Sequence, residues 1–171
     1  MHWPHYQTWV LTAVILCGLT EVVTAQQKDA SSHLRPQHKE AIDRWLSSRK
    51  LSLRVATVAD NSNEEGLANT RKENGKDYHP YYTVGDFNGD RKQDFAVALI
   101  RDGKGTEAFA IAIFNGPIGA KSIPAYFAQG WDLSDGGLFV GGGGVIAGPF
   151  ESDNCVILRP RGKKYVIKDC L

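Results

Sequence analysis

The stretch from Asp86 to Asp94 constrains this chain most, because it alternates oxygen-bearing side chains and then enters a continuous apolar run, Phe95–Ile100. A run with β-branched and aromatic residues and no helical spacing is typical of a buried strand. The pattern therefore predicts a short polar loop that leads directly into a strand with at least one buried face. The side-chain oxygens of this loop come from Asp86, Asn88, Asp90 and Asp94.

Such a loop has the donor chemistry that calcium requires, since calcium takes about six to eight oxygen ligands. The predicted ligands are the side chains of Asp86, Asn88, Asp90 and Asp94 and the backbone carbonyl of Lys92. Position 12 of the loop is Val97, whereas the helix-loop-helix calcium motif needs a bidentate Glu there, so that motif is excluded. The alternative is an Asn-Gly turn that binds no ion.

The segments Val84–Asp90 and Asp94–Val97 resemble the FG-GAP/VCBS type of repeat, in which an Asp/Asn-rich calcium loop joins two β-strands. The resemblance covers residues 81–100 and implies a binding or adhesion function rather than catalysis. The family usually has Gly at the sixth loop position, where this chain has Arg91. A sharp turn there favours a positive φ, which Gly adopts freely, and the charges of Arg91 and Lys92 lower the expected affinity for a cation.

The first 25 residues resemble a signal peptide, with an apolar core at Trp9–Leu19 and a small-residue cleavage site, Val23-Thr24-Ala25. Cys17 offers lipidation as an alternative, although the bulky Leu16 before it does not suit the usual attachment site. We expect a secreted or periplasmic protein without a transmembrane segment in its mature chain. Residues 26–35 are predicted to be a flexible segment, and residues 36–171 a single domain.

The charge balance narrows the class of partner. The chain has 20 Lys and Arg against 19 Asp and Glu, a formal net charge of +1, which implies neither nucleic acid nor an anionic membrane. Its 171 residues suffice for one domain with a core but not for a propeller. The calcium-loop motif is therefore expected as a single unit within another architecture.

Cys155 and Cys170 are the cysteines that remain after the signal segment, and an even pair in an oxidising compartment predicts a disulfide. Both flank strand-like segments, and they face each other in a symmetric hairpin centred between Gly162 and Lys163. The alternative is a pair of metal-binding thiols, but the sequence offers no further Cys and no well-placed His to complete such a site.

The remaining elements predict an α+β fold. Residues 36–49 have helical spacing of apolar residues, residues 51–55 alternate as a strand, and residues 60–77 read as a long loop or a poorly formed helix. Strands are expected near 81–84, 94–101 and 107–114, and the four glycines at 141–144 as a hairpin connection rather than a phosphate loop. The predicted architecture is an N-terminal helix on a mainly antiparallel sheet, with a calcium-binding β-loop-β unit and a disulfide-bridged C-terminal hairpin.

Aromatic residues beside the loop form a possible ligand surface for a sugar or a peptide: Tyr78, His79, Tyr81 and Tyr82. Packing in a buried turn is the alternative role for these side chains. No catalytic residues are predicted, because His33 falls in the flexible segment, His38 on the polar side of the helix, and the paired acids near 132–135 and 151–153 in turns.

These features predict an exported, non-catalytic calcium-binding domain that binds an unidentified protein or carbohydrate. The alternative function is a small secreted hydrolase, or a hydrolase inhibitor, in which calcium is structural. A deep pocket lined by acids or a histidine with shifted pKa values would favour the enzyme.

Overall fold

The computed structural model describes residues 31–102, 108–119 and 121–170. These ranges contain two α-helices and nine β-strands, which are α1 Pro36–Arg49, β1 Arg54–Val55, α2 Glu64–Asn74, β2 Tyr82–Gly85, β3 Asp94–Ile100, β4 Phe109–Phe114, β5 Tyr126–Trp131, β6 Gly136–Gly141, β7 Gly144–Pro149, β8 Val156–Arg161 and β9 Lys164–Asp169. Neither helix is long and apolar enough to cross a membrane. The predicted signal segment, residues 1–25, lies outside the described residues.

The strands form two antiparallel sheets rather than one, and the α+β class is confirmed. Sheet 1 has the order β1-β3-β4-β5, with β2 paired to β3 beside β1, and sheet 2 has the order β6-β7-β8-β9. The strand order breaks between β5 and β6, which are consecutive in the chain but do not pair. Strand periodicity alone does not reveal such a break, because it reports which residues are buried and not which strand is the neighbour.

Sheet 1 is the middle layer of three. One face packs against Ile42, Trp45 and Leu46 of α1, and the other face packs against Leu138, Val145 and Leu158 of sheet 2. Because both faces are covered, every residue from Asp94 to Leu99 and from Phe109 to Phe114 is buried. This explains why β3 and β4 read as continuous apolar runs, whereas a half-exposed strand alternates.

Helix α2 resolves the choice between a loop and a helix at residues 60–77. It begins after Asn63, whose Oδ1 accepts a hydrogen bond from the Gly66 N–H at 2.8 Å. It ends at Asn74 and is followed by Gly75, whose φ is 100°. A side-chain N-cap and a C-terminal glycine are common helix boundaries. The helix buries only Gly66, Leu67 and Thr70, which is why its apolar periodicity is weak in the sequence.

The C-terminal hairpin is confirmed, together with its disulfide. Arg161 pairs with Lys164 next to the turn and Val156 pairs with Asp169, so the register brings Cys155 opposite Cys170. These cysteines form the disulfide, and the Cys170 N–H donates to the Cys155 carbonyl at 3.1 Å. The bond closes the end of the hairpin that lies farthest from the turn.

The described part of the predicted flexible segment is anchored. Residues 31–34 form a turn in which the Leu34 N–H donates to the Ser31 carbonyl at 3.1 Å. Leu34 is only 6% exposed and packs with Ile42 and Trp45 of α1. This contact holds His33 and Arg35 beside β2, which matters for the groove described below.

Candidate metal centre and the neighbouring groove

The loop between β2 and β3 is folded around the side chain of Asp86. Its Oδ1 accepts hydrogen bonds from the N–H groups of Gly89 at 2.8 Å and Asp90 at 3.1 Å, and its Oδ2 accepts from the Arg91 N–H at 2.9 Å. Three backbone donors thus point at one carboxylate. These bonds fix the first turn of the loop.

The next two predicted ligands repeat this arrangement on a smaller scale. Asn88 Oδ1 accepts from the Asp90 N–H and Asp90 Oδ1 from the Lys92 N–H, both at 2.9 Å. Asn and Asp side chains commonly bond the backbone two residues ahead. The alternation in the sequence therefore has a structural explanation that needs no ion.

Two residues of the loop have the left-handed backbone conformation that a sharp turn requires. Gly89 has a φ of 77°, and Arg91, at the position where the resembling family has glycine, has a φ of 65°. A side chain other than glycine, asparagine or aspartate rarely occupies this region, at a cost of about 1–2 kcal/mol. The left-handed conformation thus occurs at Arg91, the residue that departs from the motif, as the sequence predicted.

Asp94 differs from the other acids of the loop because it is fully buried. Its exposure is 0%; Oδ2 accepts from the Phe87 N–H at 2.9 Å and Oδ1 from the Gly116 N–H at 2.8 Å. No ion pair to Asp94 occurs within the described residues. Burial raises the pKa of this carboxyl above its usual value of 3.8, although the backbone hydrogen bonds partly oppose the shift. The site therefore contains a buried acid without a positive counter-charge.

The segment after β4, which contacts the loop through the bond from Gly116 to Asp94, also contacts the C-terminal hairpin. Next to Gly116, the Asn115 Oδ1 accepts a hydrogen bond from the Tyr165 hydroxyl of β9 at 2.9 Å. The pKa of Tyr165 is raised, chiefly by burial and also by the negative charges of Asp94, Asp90 and Asp86. The three acids thus act on the same hydroxyl, and both sheets contribute to the surroundings of the loop.

The acids are suitable for calcium in kind, yet they are not gathered around one point. Three carboxylates and one amide are hard oxygen donors, and each keeps lone pairs beyond those used by backbone N–H groups. Across residues 31–102, 108–119 and 121–170, however, no group of three or more His, Cys, Asp or Glu side chains is placed so that it could hold a metal ion. Calcium at this loop therefore stays a prediction.

The predicted ligand surface divides into one buried residue and three that line a groove. Tyr81 is 1% exposed, and its hydroxyl donates to the Leu133 carbonyl at 2.9 Å, so it belongs to the core. Tyr78, His79 and Tyr82 lie on a groove of about 580 Å³. The other lining residues are His33, Arg35, Asn74, Gly75, Lys76, Asp77, Thr83 and Val84.

The rings of the groove pack on one another rather than presenting free faces. His33 stacks on His79 with centroids 4.2 Å apart, and Tyr82 meets His33 edge-on at 5.8 Å. Tyr78 stacks on Phe139 of β6 at 5.2 Å. A platform for a sugar needs an uncovered ring face, so the stacking function is not favoured at these residues. The sequence did not predict His33 and Arg35 at this surface, because only tertiary packing brings them here.

His38 was predicted on the polar side of α1, and this is wrong. It is 1% exposed, stacks on Phe95 at 4.1 Å, and its Nδ1 lies 2.8 Å from the Tyr82 hydroxyl. Its Nε2 has no hydrogen-bond partner among the described residues. The signal was present in the sequence, since His38 precedes the buried Ala41 and Ile42 by three and four positions.

Because His38 is buried in its neutral form, we expect the protein to lose stability in mild acid. Burial, assisted by the charge of Arg35, lowers the pKa of His38 from 6.5 to about 4. Below pH 6.5 the His38 imidazole is protonated in the unfolded chain but stays neutral in the folded protein. Stability therefore falls as the pH falls towards 4. The expected loss from this residue is about 2–3 kcal/mol, measured by urea unfolding at a series of pH values.

His38→Gln is the matched variant for this experiment, since glutamine does not titrate and retains a hydrogen-bonding group for Tyr82. Its stability should depend less steeply on pH than that of the unmutated protein. The raised pKa of Asp94 acts in the opposite direction in both proteins, so the comparison isolates the histidine. Equal pH slopes for the two proteins would contradict the assignment.

Among the paired acids outside the loop, Asp132 forms a local turn, as the sequence suggested, whereas Glu151 contacts helix α2. Asp132 Oδ1 accepts from the Ser134 N–H at 3.1 Å and from its hydroxyl at 2.7 Å, and Glu151 Oε1 accepts from Asn69 Nδ2 at 2.9 Å. The spacing Asp-x-Ser at 132–134 is a common local turn. Neither Asp132 nor Glu151 lines the groove.

Comparison of the chain with protein-family models, with curated proteins and with solved structures returned no match. The resemblance of the loop to FG-GAP/VCBS repeats therefore rests on the motif residues alone.

Proposed function

We propose that this protein is an exported, non-catalytic binding domain whose loop at residues 86–94 takes calcium. The observation that carries the proposal is the buried Asp94 carboxylate, which ends an Asp/Asn-rich loop and has no cationic partner within the described residues. A buried charge is unfavourable unless it is paired or bound to a metal. A cation at the loop would supply the missing charge and would lower the pKa of Asp94.

The loop and the groove share β2, which supports an effect of the ion on a partner surface. Tyr82, Thr83 and Val84 line the groove, and the strand then runs directly into Asp86. On the other side, the Arg35 guanidinium of the groove donates to the Gln93 side chain, one residue before Asp94. An ion that orders the loop would therefore also fix two walls of the groove.

Export is supported by the disulfide, because such bonds persist mainly in oxidising compartments. The apolar segment at Trp9–Leu19 agrees with this compartment as a sequence feature.

Calcium is expected to raise the thermal midpoint of the protein. With Arg91 and Lys92 beside the loop and no Glu at position 12, the dissociation constant should be weak, about 10⁻⁴–10⁻³ M. Binding to the folded state alone would then add about 1.4–2.7 kcal/mol at ~10 mM calcium. The measurement is a calcium titration of the thermal midpoint, with chelator and magnesium as controls.

Variants of the loop sharpen this test. Asp86→Ala and Asp90→Ala should each abolish the calcium response, whereas Asp43→Ala on α1 should leave it intact. Arg91→Gly should enlarge the response, because it removes a repulsive charge and relaxes the left-handed turn. An unchanged midpoint of the unmutated protein in calcium would remove the main support for the proposal.

A small hydrolase is the second candidate, favoured by two imidazoles in the groove with lowered pKa values. Burial, and then the charge of His79, lowers the pKa of His33 to about 4; the pKa of His79 is lowered by burial and Arg71. Against it, neither ring lies within ion-pair distance of a carboxylate in the described residues. Turnover of chromogenic esters or glycosides that is abolished by His79→Ala would establish the enzyme.

A further inference from the structure

The outer face of sheet 2, which points away from sheet 1, has an unusual distribution of charge. Leu138, Val145 and Leu158 are fully buried on the inner face, so the residues next to each of them point outwards. The charged residues at the outward positions of the four strands are all basic: Arg159, Arg161, Lys164 and Lys168. We call these four residues the basic face. No Asp or Glu occupies an outward strand position, although the net charge of the whole chain is only +1.

The positive charges of the basic face are not neutralised by the protein. All four side chains are exposed, and within the described part of the chain none of them forms an ion pair. Arg161 and Lys164 are directly opposite in the register, with Lys163 in the turn between their strands. Like charges on opposed positions of an antiparallel pair destabilise it. An anionic partner would offset this repulsion.

The shape of the face favours an extended partner over a compact one. Tyr78 covers the β6 side by stacking on Phe139, which leaves the β8 and β9 side open. Arg159 and Arg161 lie two residues apart on β8, about 7 Å, and Lys164 follows across the ladder. The basic residues thus follow the hairpin as a row on a flat sheet, whereas a small ligand needs a concave pocket.

The apolar residues of the face argue against membrane insertion and against nucleic-acid stacking. Ile157 is only 5% exposed, and Ile146 and Val166, the other aliphatic residues at outward positions, are half-buried, so the face offers little surface to a lipid phase. The aromatic ring at an outward strand position, Phe139, is covered by Tyr78. Insertion into a membrane surface needs exposed apolar side chains, and single-strand binding uses open ring faces.

We propose that the basic face binds an acidic polysaccharide, a chain of sugars with repeated carboxylate groups, through ion pairs along the β8–β9 hairpin. This rests on the proposed function, since it names the partner class of the binding domain, but it assigns the contact to a surface separate from the groove and the loop. Affinity should come mainly from the release of counterions, so it should fall steeply with salt.

The test uses polygalacturonate as the probe and the full mature protein with its disulfide intact. Binding is measured by titration calorimetry at several salt concentrations, with dextran as the uncharged polymer. We expect binding to polygalacturonate and none to dextran. Arg161→Gln/Lys164→Gln should weaken polygalacturonate binding about tenfold or more and reduce the salt dependence.

The matched control is Lys39→Gln/Arg44→Gln, which removes the same charge from α1, on the opposite side of sheet 1. This variant should bind like the unmutated protein, which would show that location rather than net charge decides. The Arg161→Gln/Lys164→Gln variant should keep an unchanged or higher thermal midpoint, since it relieves the opposed charges. A loss of binding with a lowered midpoint, or equal losses in both variants, would overturn the proposal.

Two further arms complete the experiment. Stronger binding to duplex DNA or to vesicles of phosphatidylglycerol and phosphatidylcholine than to polygalacturonate would overturn the choice of partner. If calcium raises the thermal midpoint but polygalacturonate does not bind, the polysaccharide proposal for the basic face is overturned and calcium binding at the loop is retained. Binding of the polymer through the basic face without any calcium response would instead reject calcium at the loop and leave this inference intact.

Discussion

Replacing Asp94 with alanine is expected to lower the free energy of unfolding by about 2–5 kcal/mol, even in calcium-free buffer. The substitution leaves the N–H groups of Phe87 and Gly116 without the carboxylate that accepts their hydrogen bonds in the interior. Each unsatisfied buried donor costs about 1–3 kcal/mol. The measurement is urea unfolding in the presence of a chelator.

Two milder variants serve as controls for this result. Asp94→Asn keeps one acceptor oxygen and should cost less, about 1–3 kcal/mol. Asp90→Asn changes a more exposed acid of the same loop and should stay within about 0.5 kcal/mol of the unmutated protein without calcium. If Asp94→Ala were as stable as Asp90→Asn, the buried carboxylate would not organise the loop.

Removal of the disulfide should be the other large effect. Cys155→Ser/Cys170→Ser is expected to lower stability by about 2–4 kcal/mol, because the bond restricts the unfolded chain across a sequence separation of 15 residues. The ladder of β8 and β9 and the packing of Leu158 do not depend on the bond, so far-ultraviolet circular dichroism should stay close to that of the unmutated protein. Unfolding by urea at pH 7 measures the difference.

Thiol titration provides the direct check on this pair. The unfolded, unreduced protein should have no titratable thiol at Cys155 or Cys170, and the reduced protein should have both. Reduction of the unmutated protein should lower its stability by about as much as the double substitution does. Two thiols that react before reduction would contradict the bridge.

The features that the sequence predicted best are those whose partners are close in the chain. The disulfide hairpin follows from a symmetric register around Gly162 and Lys163, and β3 follows from seven consecutive residues. The strained position at Arg91 also follows from local geometry. In each case the physical cause lies within about 15 residues, where periodicity and turn chemistry are informative.

Features that depend on distant contacts were not predictable in the same way. The groove depends on the stacking of His33 on His79, and the burial of His38 depends on its contacts with Phe95 and Tyr82. The division into two sheets depends on where β6 packs, which no local pattern records. The buried position of Tyr81 was not predictable either. Its hydroxyl donates a hydrogen bond to the distant Leu133 carbonyl in the core, so the side chain is not part of the surface.

The strand order of sheet 2 has a consequence for how the chain reaches this structure. β6, β7, β8 and β9 are consecutive in sequence and pair only with their chain neighbours, across tight turns at 142–143 and 162–163. Each ladder therefore closes a short loop at small entropic cost, and low contact order favours rapid formation. Sheet 1 must instead bring β1 and β4 to opposite edges of β3, with α2 in the intervening chain. We therefore expect the ladders of sheet 2 to form more readily than the pairing of β1 with β3.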